Sequence, residues 1–249
     1  MLLSLEGRVF IKVDVLGIYI DNLTMEETTQ RICEAVKEKK PFRVVTANPE
    51  MIYAANKDKD LKNLINSADL VTADGIGVIW ASSCLGTPLQ ERVTGIDLLL
   101  ALFPLAGERR WRVFFLGGRL GVAEKAATHV QQDFPEITWQ AEDGYFSSAY
   151  EVELNERIRL FNPDLLLVGL GAPRQDYWIA ANSELACVAI GVGGSFDALA
   201  GIVIRAPQWI RNLKLEWLYR LWQEPWRWRR QTVLPRFIVK VIRQSMHNS

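Results

Sequence analysis

The sequence is poor in the residues that build metal and redox centres. Its 249 residues include two histidines, His129 and His247, and three cysteines, Cys33, Cys84 and Cys187. Two histidines argue against a histidine-built metal site and against a Ser-His triad. Three cysteines are an odd number with no CxxC spacing, so neither a disulfide framework nor a zinc site is implied. Long apolar runs are missing as well, and none approaches the ~18 residues that a membrane-crossing helix needs. The first ten residues, MLLSLEGRVF, reach Glu6 before an apolar region forms, so no signal peptide is expected. There is no internal repeat, no low-complexity segment and no net charge. These absences point to a cytosolic chain that uses neither a bound metal nor a redox cofactor.

The remaining composition, 49% hydrophobic and 23% charged, is that of a globular protein and not a disordered one. The length suffices for one α/β domain with an appendage. The zero net charge hides an asymmetry. From Arg205 onward ten Lys/Arg face two Asp/Glu, whereas the preceding residues carry 19 against 27. Five of the nine tryptophans also lie in this basic segment. An acidic body with a basic, aromatic tail suggests a polyanionic partner: a membrane, a nucleic acid or an anionic substrate.

Short apolar runs that end in Gly, Asn or Asp alternate with amphipathic segments. FRVVTAN (42–48), ADLVTADG (68–75), WRVFFLGG (111–118), PDLLLVGLG (163–171) and CVAIGVGG (187–194) read as buried strands. Between them, 24–40 opens with a capping box, Thr24 with Glu27, and 121–134 and 150–161 have helical spacing. This alternation predicts an α/β fold: a Rossmann-like, mostly parallel sheet with helices on both faces, over residues 1–203. Residues 204–249 read as a helical C-terminal appendage, basic and rich in tryptophan. APQWIRNLKLEWLYRLWQ is helical, Pro225 interrupts it, and RFIVKVIRQSM is helical again. In the last segment Arg236, Lys240 and Arg243 form a basic stripe opposite Phe237, Ile238, Val241 and Ile242.

In open α/β sheets ligands bind beyond the carboxyl ends of the strands, often against helix N-termini. Thr46 and Asn48 stand at such an end, and Asn48 reads either as an N-cap ahead of Pro49 or as a polar ligand contact. Asp74 reads either as part of an Asp-Gly turn or as a carboxylate facing the crevice, able to take a proton from a hydroxyl. Gly117, Gly118 and Gly121 lie between strand and helix but lack GxGxxG spacing. Four glycine-bearing strand ends on one edge favour a polar, phosphate-bearing ligand. Asp58-Lys59-Asp60 matches a metal-holding DxD pattern yet sits in a lysine-rich helix start, so it reads as solvated surface. Arg92 reads as either a surface charge or a fork for phosphate.

In order along the chain, TANPEM, ADGIGV, ERVTGID, FFLGG, GLGAPRQD, VGGSFDALAG, RAPQWI and LEWLYRLWQEPWRWRRQ resemble the WecG/TagA/CpsF-type bacterial glycosyltransferases, glycosyltransferase family 26. The resemblance runs from about residue 9 to 237. It implies inverting transfer of an N-acetylmannosamine-type sugar from a UDP donor to N-acetylglucosamine linked through diphosphate to undecaprenol, in teichoic acid, common antigen or exopolysaccharide synthesis. Asp74 then matches the general base and Thr46 and Asn48 the polar pair beside it. Arg92 and Gln175 match groups lining the donor or acceptor site, and Asp197 an acidic residue near the nucleoside. Arg220, Arg227 and Arg230 match basic residues that close over the diphosphate. The family usually has Gln-Glu where this chain has Gln175-Asp176. The resemblance also implies a protein held on the inner face of the plasma membrane.

No metal ligand and no cofactor is expected, because arginines can steady the departing diphosphate. Trp226 and Trp228 suit a headgroup layer, and Arg227, Arg229 and Arg230 suit lipid or substrate phosphates. Two other classes fit less well. A nicotinamide oxidoreductase would need GxGxxG, which the Gly117 loop lacks, and an acidic residue ending the next strand, where none is expected. A nucleic-acid module would leave the apolar face of 237–242 without use, so no nucleic-acid partner is expected. A homo-oligomer is compatible with the sequence, which does not define oligomeric state.

Overall fold

A computed structural model describes residues 4–5, 8–9, 11–213, 215–225, 228 and 232–248. A short antiparallel pair, β1 (Ser4–Leu5) and β2 (Arg8–Val9), precedes a hairpin of β3 (Lys12–Val15) and β4 (Ile18–Asp21). Then α1 (Met25–Glu38) leads into β5 (Phe42–Ala47), α2 (Pro49–Ala55), α3 (Lys59–Asn66) and β6 (Leu70–Ala73). The chain crosses through α4 (Ile76–Cys84) and α5 (Gly95–Glu108) to β7 (Arg112–Gly117), α6 (Val122–Asp133) and β8 (Thr138–Glu142). It returns through α7 (Ser148–Phe161), β9 (Leu165–Gly169), α8 (Arg174–Ala181), β10 (Val188–Gly191) and α9 (Ser195–Leu199). The segment expected as an appendage contains α10 (Gln208–Asn212), α11 (Glu216–Gln223) and α12 (Val233–Asn248) among the described residues.

Six strands form one parallel sheet in the order β6-β5-β10-β9-β7-β8. The expected parallel sheet is present, and all five expected strands are in it. Side chains alternate along each strand, as a pleated sheet requires. Val44, Leu70, Phe115, Leu167 and Ile190 pack with α1, α5 and α6 on one face. Val45, Val71 and Ala73 face α2 and α3, while Phe114, Leu166 and Ala189 face α7 and α8. Both faces are covered, which is why these strands read as continuous apolar runs.

Local signals explain several boundaries. Thr24 and Glu27 make the expected capping box, with each side chain accepting the other's backbone N–H. Asp58 caps α3, accepting from the backbone of Asp60 and Leu61, so the DxD-like triplet is a helix start. Three features depart from expectation. The strand β8 is partly exposed and lies at the sheet edge, so it lacks a continuous apolar run. The 206–223 segment is two helices, because Leu215 N–H closes on Ile210 O and α11 turns toward the sheet. In α12, Phe237 and Val241 are buried in the body, whereas Ile238 and Ile242 stay exposed. Lys240 of the basic stripe bonds to Asn56 and lies 5.4 Å from the Tyr53 ring centroid.

Candidate active site

The first and last strands of the sheet, β5 and β10, are neighbours, and the chain leaves them for opposite faces, into α2 and α9. That is a topological switch point, where the loops part and leave a crevice beyond the strand ends. Thr46 sits on it, with its hydroxyl donating across the seam to Gly191 O at 3.0 Å. One residue beyond β5, Asn48 caps α2, with Oδ1 accepting from Met51 N–H at 2.9 Å and Pro49 at N1. The capping reading of Asn48 is therefore present in the geometry, and it uses only the carbonyl end of the amide.

Asp74 follows β6 directly, and its N–H donates to Ala47 O at 2.8 Å, which fixes it beside the end of β5. Burial raises its carboxyl from the ordinary 3.8 to about 6; the Gly95 N–H, Arg92 and Arg220 pull it down, and Glu216 pushes it up again. The residue as a whole is half-buried. A carboxylate with this affinity is ionised at neutral pH yet holds a proton far better than a solvated one. Gly95 opens α5, and a side chain there would lie 3.6 Å from both Thr46 Oγ1 and Ser195 Oγ. Thr46, Asp74 and Ser195 are thus gathered around one helix N-terminus.

Arginines reach this point from two directions. Arg92 comes from the loop before α5 and lies 3.4 Å from Glu216 and 4.0 Å from Asp97. Arg220, on α11, donates to Gly194 O at 3.4 Å and pairs with Glu224 at 3.1 Å. Arg227 and Arg230 lie outside the described residues. Among the described residues, no group of three or more His, Cys, Asp or Glu could hold a metal ion.

Gln175 is buried behind the strand ends. Its Oε1 accepts from Gly171 N–H at 3.2 Å and Gly193 N–H at 3.1 Å, tying together the loops that follow β9 and β10. Gly191 leaves room for it, since an added Cβ would come within 2.7 Å of Gln175 Nε2 and displace the amide. Asp197, on α9, is nearer β7 and lies 3.8 Å from Arg119 of the glycine loop. In that loop Gly117 has φ +135°, and a Cβ there would meet the Gly169 backbone at 2.5 Å. The sequence argument that no acidic residue ends the strand after this loop is overturned. That strand is β8, and it ends in Glu142, engaged by Arg157 at 2.8 Å and by the Tyr150 hydroxyl at 3.2 Å.

Asp176 was legible only as a departure from a family pattern, and the structure gives it a physical character. It is 3% exposed, and neither carboxylate oxygen has a hydrogen-bond partner among the described residues. Burial pushes its carboxyl from 3.8 to about 7. A raised carboxyl means the ionised form burdens the folded state, with no penalty below pH ~4 and the full penalty above pH ~7. Asp176→Asn is therefore expected to raise the thermal midpoint at pH 8 by about 5 °C, on the order of 2 kcal/mol. Melting curves at pH 8 and pH 4 check this, since the gain should vanish at the lower pH.

Sequence reasoning also missed Arg205 and Glu216, which stand on the rim beside Arg92. Their only sequence signal was the i, i+4 spacing of Glu216 and Arg220, which places both on one face of α11.

A doubly covered parallel sheet with a carboxylate and two arginines at its switch point belongs to the class of α/β enzymes built for phosphate-bearing ligands. The model of the Glycosyl transferase WecG/TagA/CpsF family matches residues 13–249, and the chain belongs to that family. It is 38% identical over 205 residues to an N-acetylglucosaminyldiphosphoundecaprenol N-acetyl-beta-D-mannosaminyltransferase of Bacillus spizizenii, covering 81% of this chain and 79% of the relative. It is 37% identical over 234 residues to the protein of the same name from Staphylococcus aureus strain MW2, covering 92% of each.

Proposed function

We propose that the protein transfers N-acetylmannosamine from a UDP donor to N-acetylglucosamine carried on undecaprenyl diphosphate, with inversion at the anomeric carbon. The observation that carries this reading is Asp74, a carboxyl of raised affinity at the switch point with arginines on either side. In the reaction the acceptor hydroxyl loses its proton to Asp74 as its oxygen bonds to the anomeric carbon. The bond from that carbon to the donor phosphate breaks, and UDP leaves with the electron pair. Thr46 and Asn48 shape the floor beside the base. Arg92 and Arg220 face the diphosphate, with Arg227 and Arg230 assigned to the same task by family position. Gln175 holds the loops that line the crevice, and Asp197 serves the nucleoside end. Positive charge fixed before the reaction stabilises the outgoing phosphates without reorganising at the moment of transfer.

The acceptor is a membrane lipid, and among the described residues no helix is long and apolar enough to cross a membrane. The surface assigned to the membrane is the outer side of the appendage, where Trp209, Trp217, Leu218 and Trp222 are exposed. Lipid approach there brings the acceptor to the side of the crevice that α11 covers.

The test is a donor screen by mass spectrometry with one polyprenyl-diphosphate-linked N-acetylglucosamine acceptor, run with and without EDTA. UDP-N-acetylmannosamine is expected to give a disaccharide lipid, at a rate that chelation leaves within about twofold if arginines steady the UDP. Release of free sugar with no lipid product would mark a donor hydrolase instead. Silencing by EDTA with recovery in magnesium would overturn the arginine assignment.

A further inference from the structure

Four charged side chains on the rim of the crevice close into a ring of alternating sign. Asp97 pairs with Arg205; Arg205 Nε lies 3.5 Å from Glu216; Glu216 lies 3.4 Å from Arg92; and Arg92 lies 4.0 Å from Asp97. Each side chain is 22–28% exposed, so none is buried outright and none is freely solvated. The ring joins three separate pieces of chain: the start of α5, the linker that leaves the sheet domain, and the first turn of α11.

Each piece has a reason to hold still. Asp97 is anchored by Thr94, whose hydroxyl donates to Oδ2 at 2.6 Å while accepting the Asp97 N–H at 3.2 Å. Burial pushes the Asp97 carboxyl up, but Thr94, Arg205 and Arg92 together bring it below the ordinary value, so it stays ionised. Glu216 sits one helical turn before Arg220, on the same inward face of α11. Gln223, two turns on, donates to Ile204 O at 2.9 Å, closing α11 against the linker. The opposite face of the helix carries Trp217, Leu218 and Trp222, all exposed. The ring therefore lies on the side of α11 that carries Arg220 toward Asp74.

We propose that Arg205 and Glu216 are positioning residues of the transfer reaction: with Asp97 they form a clasp that holds Arg92 and the inward face of α11 against Asp74. The catalytic part of this inference rests on the functional reading above; the mechanical part does not. A single exposed ion pair contributes little, typically under about 1 kcal/mol. A ring differs because every member has two partners, so deleting one loosens the others, and such networks are non-additive.

Hydrogen exchange and kinetics on the full chain test the proposal. Glu216→Gln keeps the shape and loses the charge, whereas Glu216→Asp keeps the charge. We expect amides of 216–223 to exchange about tenfold faster in Glu216→Gln and in Arg205→Gln, with kcat/KM for the lipid acceptor about tenfold lower. Glu216→Asp should recover most of the rate; rescue by Gln but not by Asp would make the role one of shape and overturn the clasp. In an Arg92→Gln background, Arg205→Gln should cost clearly less than it does alone, because both act on one ring. Costs that multiply, or native exchange in both single variants, would likewise overturn it. Faster exchange in the variants of a chain that transfers no sugar would sink the functional reading and leave the clasp standing.

Discussion

Asp74→Asn is expected to lower kcat for sugar transfer by about 10²–10⁴-fold, the span attributed to a general base, while the protein melts no lower than the native chain. The second half follows from the same burial that makes the residue useful. Its carboxyl is raised to about 6, so above that pH the folded state carries a charge that the unfolded chain holds more comfortably. Asparagine removes the charge and the burden together. Activity and stability should thus move in opposite directions, as happens where function maintains a strained site. In the native enzyme kcat/KM should fall with acid through a limb near pH 6, as the base takes up its proton before substrate arrives. A pH–rate profile and a melting curve on the two proteins check these outcomes. Native turnover in a folded Asp74→Asn chain would end the base assignment.

The second large effect concerns the outward face of α11. Replacing Trp217, Leu218 and Trp222 by serine should weaken binding to anionic vesicles by at least about 100-fold. Fully burying one such side chain is worth roughly 1.5–3 kcal/mol, and each 1.4 kcal/mol is tenfold. Turnover on vesicle-borne acceptor should fall in parallel, whereas turnover on a short-chain, water-soluble acceptor should change little. Trp222 is 76% exposed and the replaced side chains form no part of the core, so the fold should persist. Deleting the whole appendage is a poorer experiment, because Phe237 and Val241 lie in the hydrophobic core. Vesicle co-sedimentation of the triple variant decides the matter, and unchanged binding would remove this face from the membrane.

Much of the sheet could be read directly because its strands are buried on both faces. Val44–Val45, Leu70–Val71 and Leu165–Val168 are apolar without interruption, as strands of a parallel sheet between two helical layers are. The β3–β4 hairpin was not readable, since its turn places Leu16 at φ +54° ahead of Gly17 at +82°. Leucine is not a residue that announces a left-handed turn. What holds it there is distant: Asn56 donates to Leu16 O, Asn66 to Gly17 O, and Leu16 N–H to Gln244. The site divides in the same way. Asp74, Thr46 and Asn48 stand at strand ends, where the crevice of such a sheet must be. Arg205 and Glu216 look like ordinary surface charges until the chain brings together positions more than a hundred residues from Arg92 and Asp97.

The bond from Leu16 N–H to Gln244 Oε1, at 3.0 Å, has a consequence for synthesis. It seats one of the last helical turns of the chain beside one of its first hairpins, and Phe237 and Val241 complete a core that the earlier residues leave open. A nascent chain extends from its N-terminus, so this body cannot finish packing until Phe237, Val241 and Gln244 have been made. The helices α10 and α11 consequently lie in the sequence between two elements packed into the body, α9 and α12. The exposed face of α11 is thus followed, as well as preceded, by chain that belongs to the core.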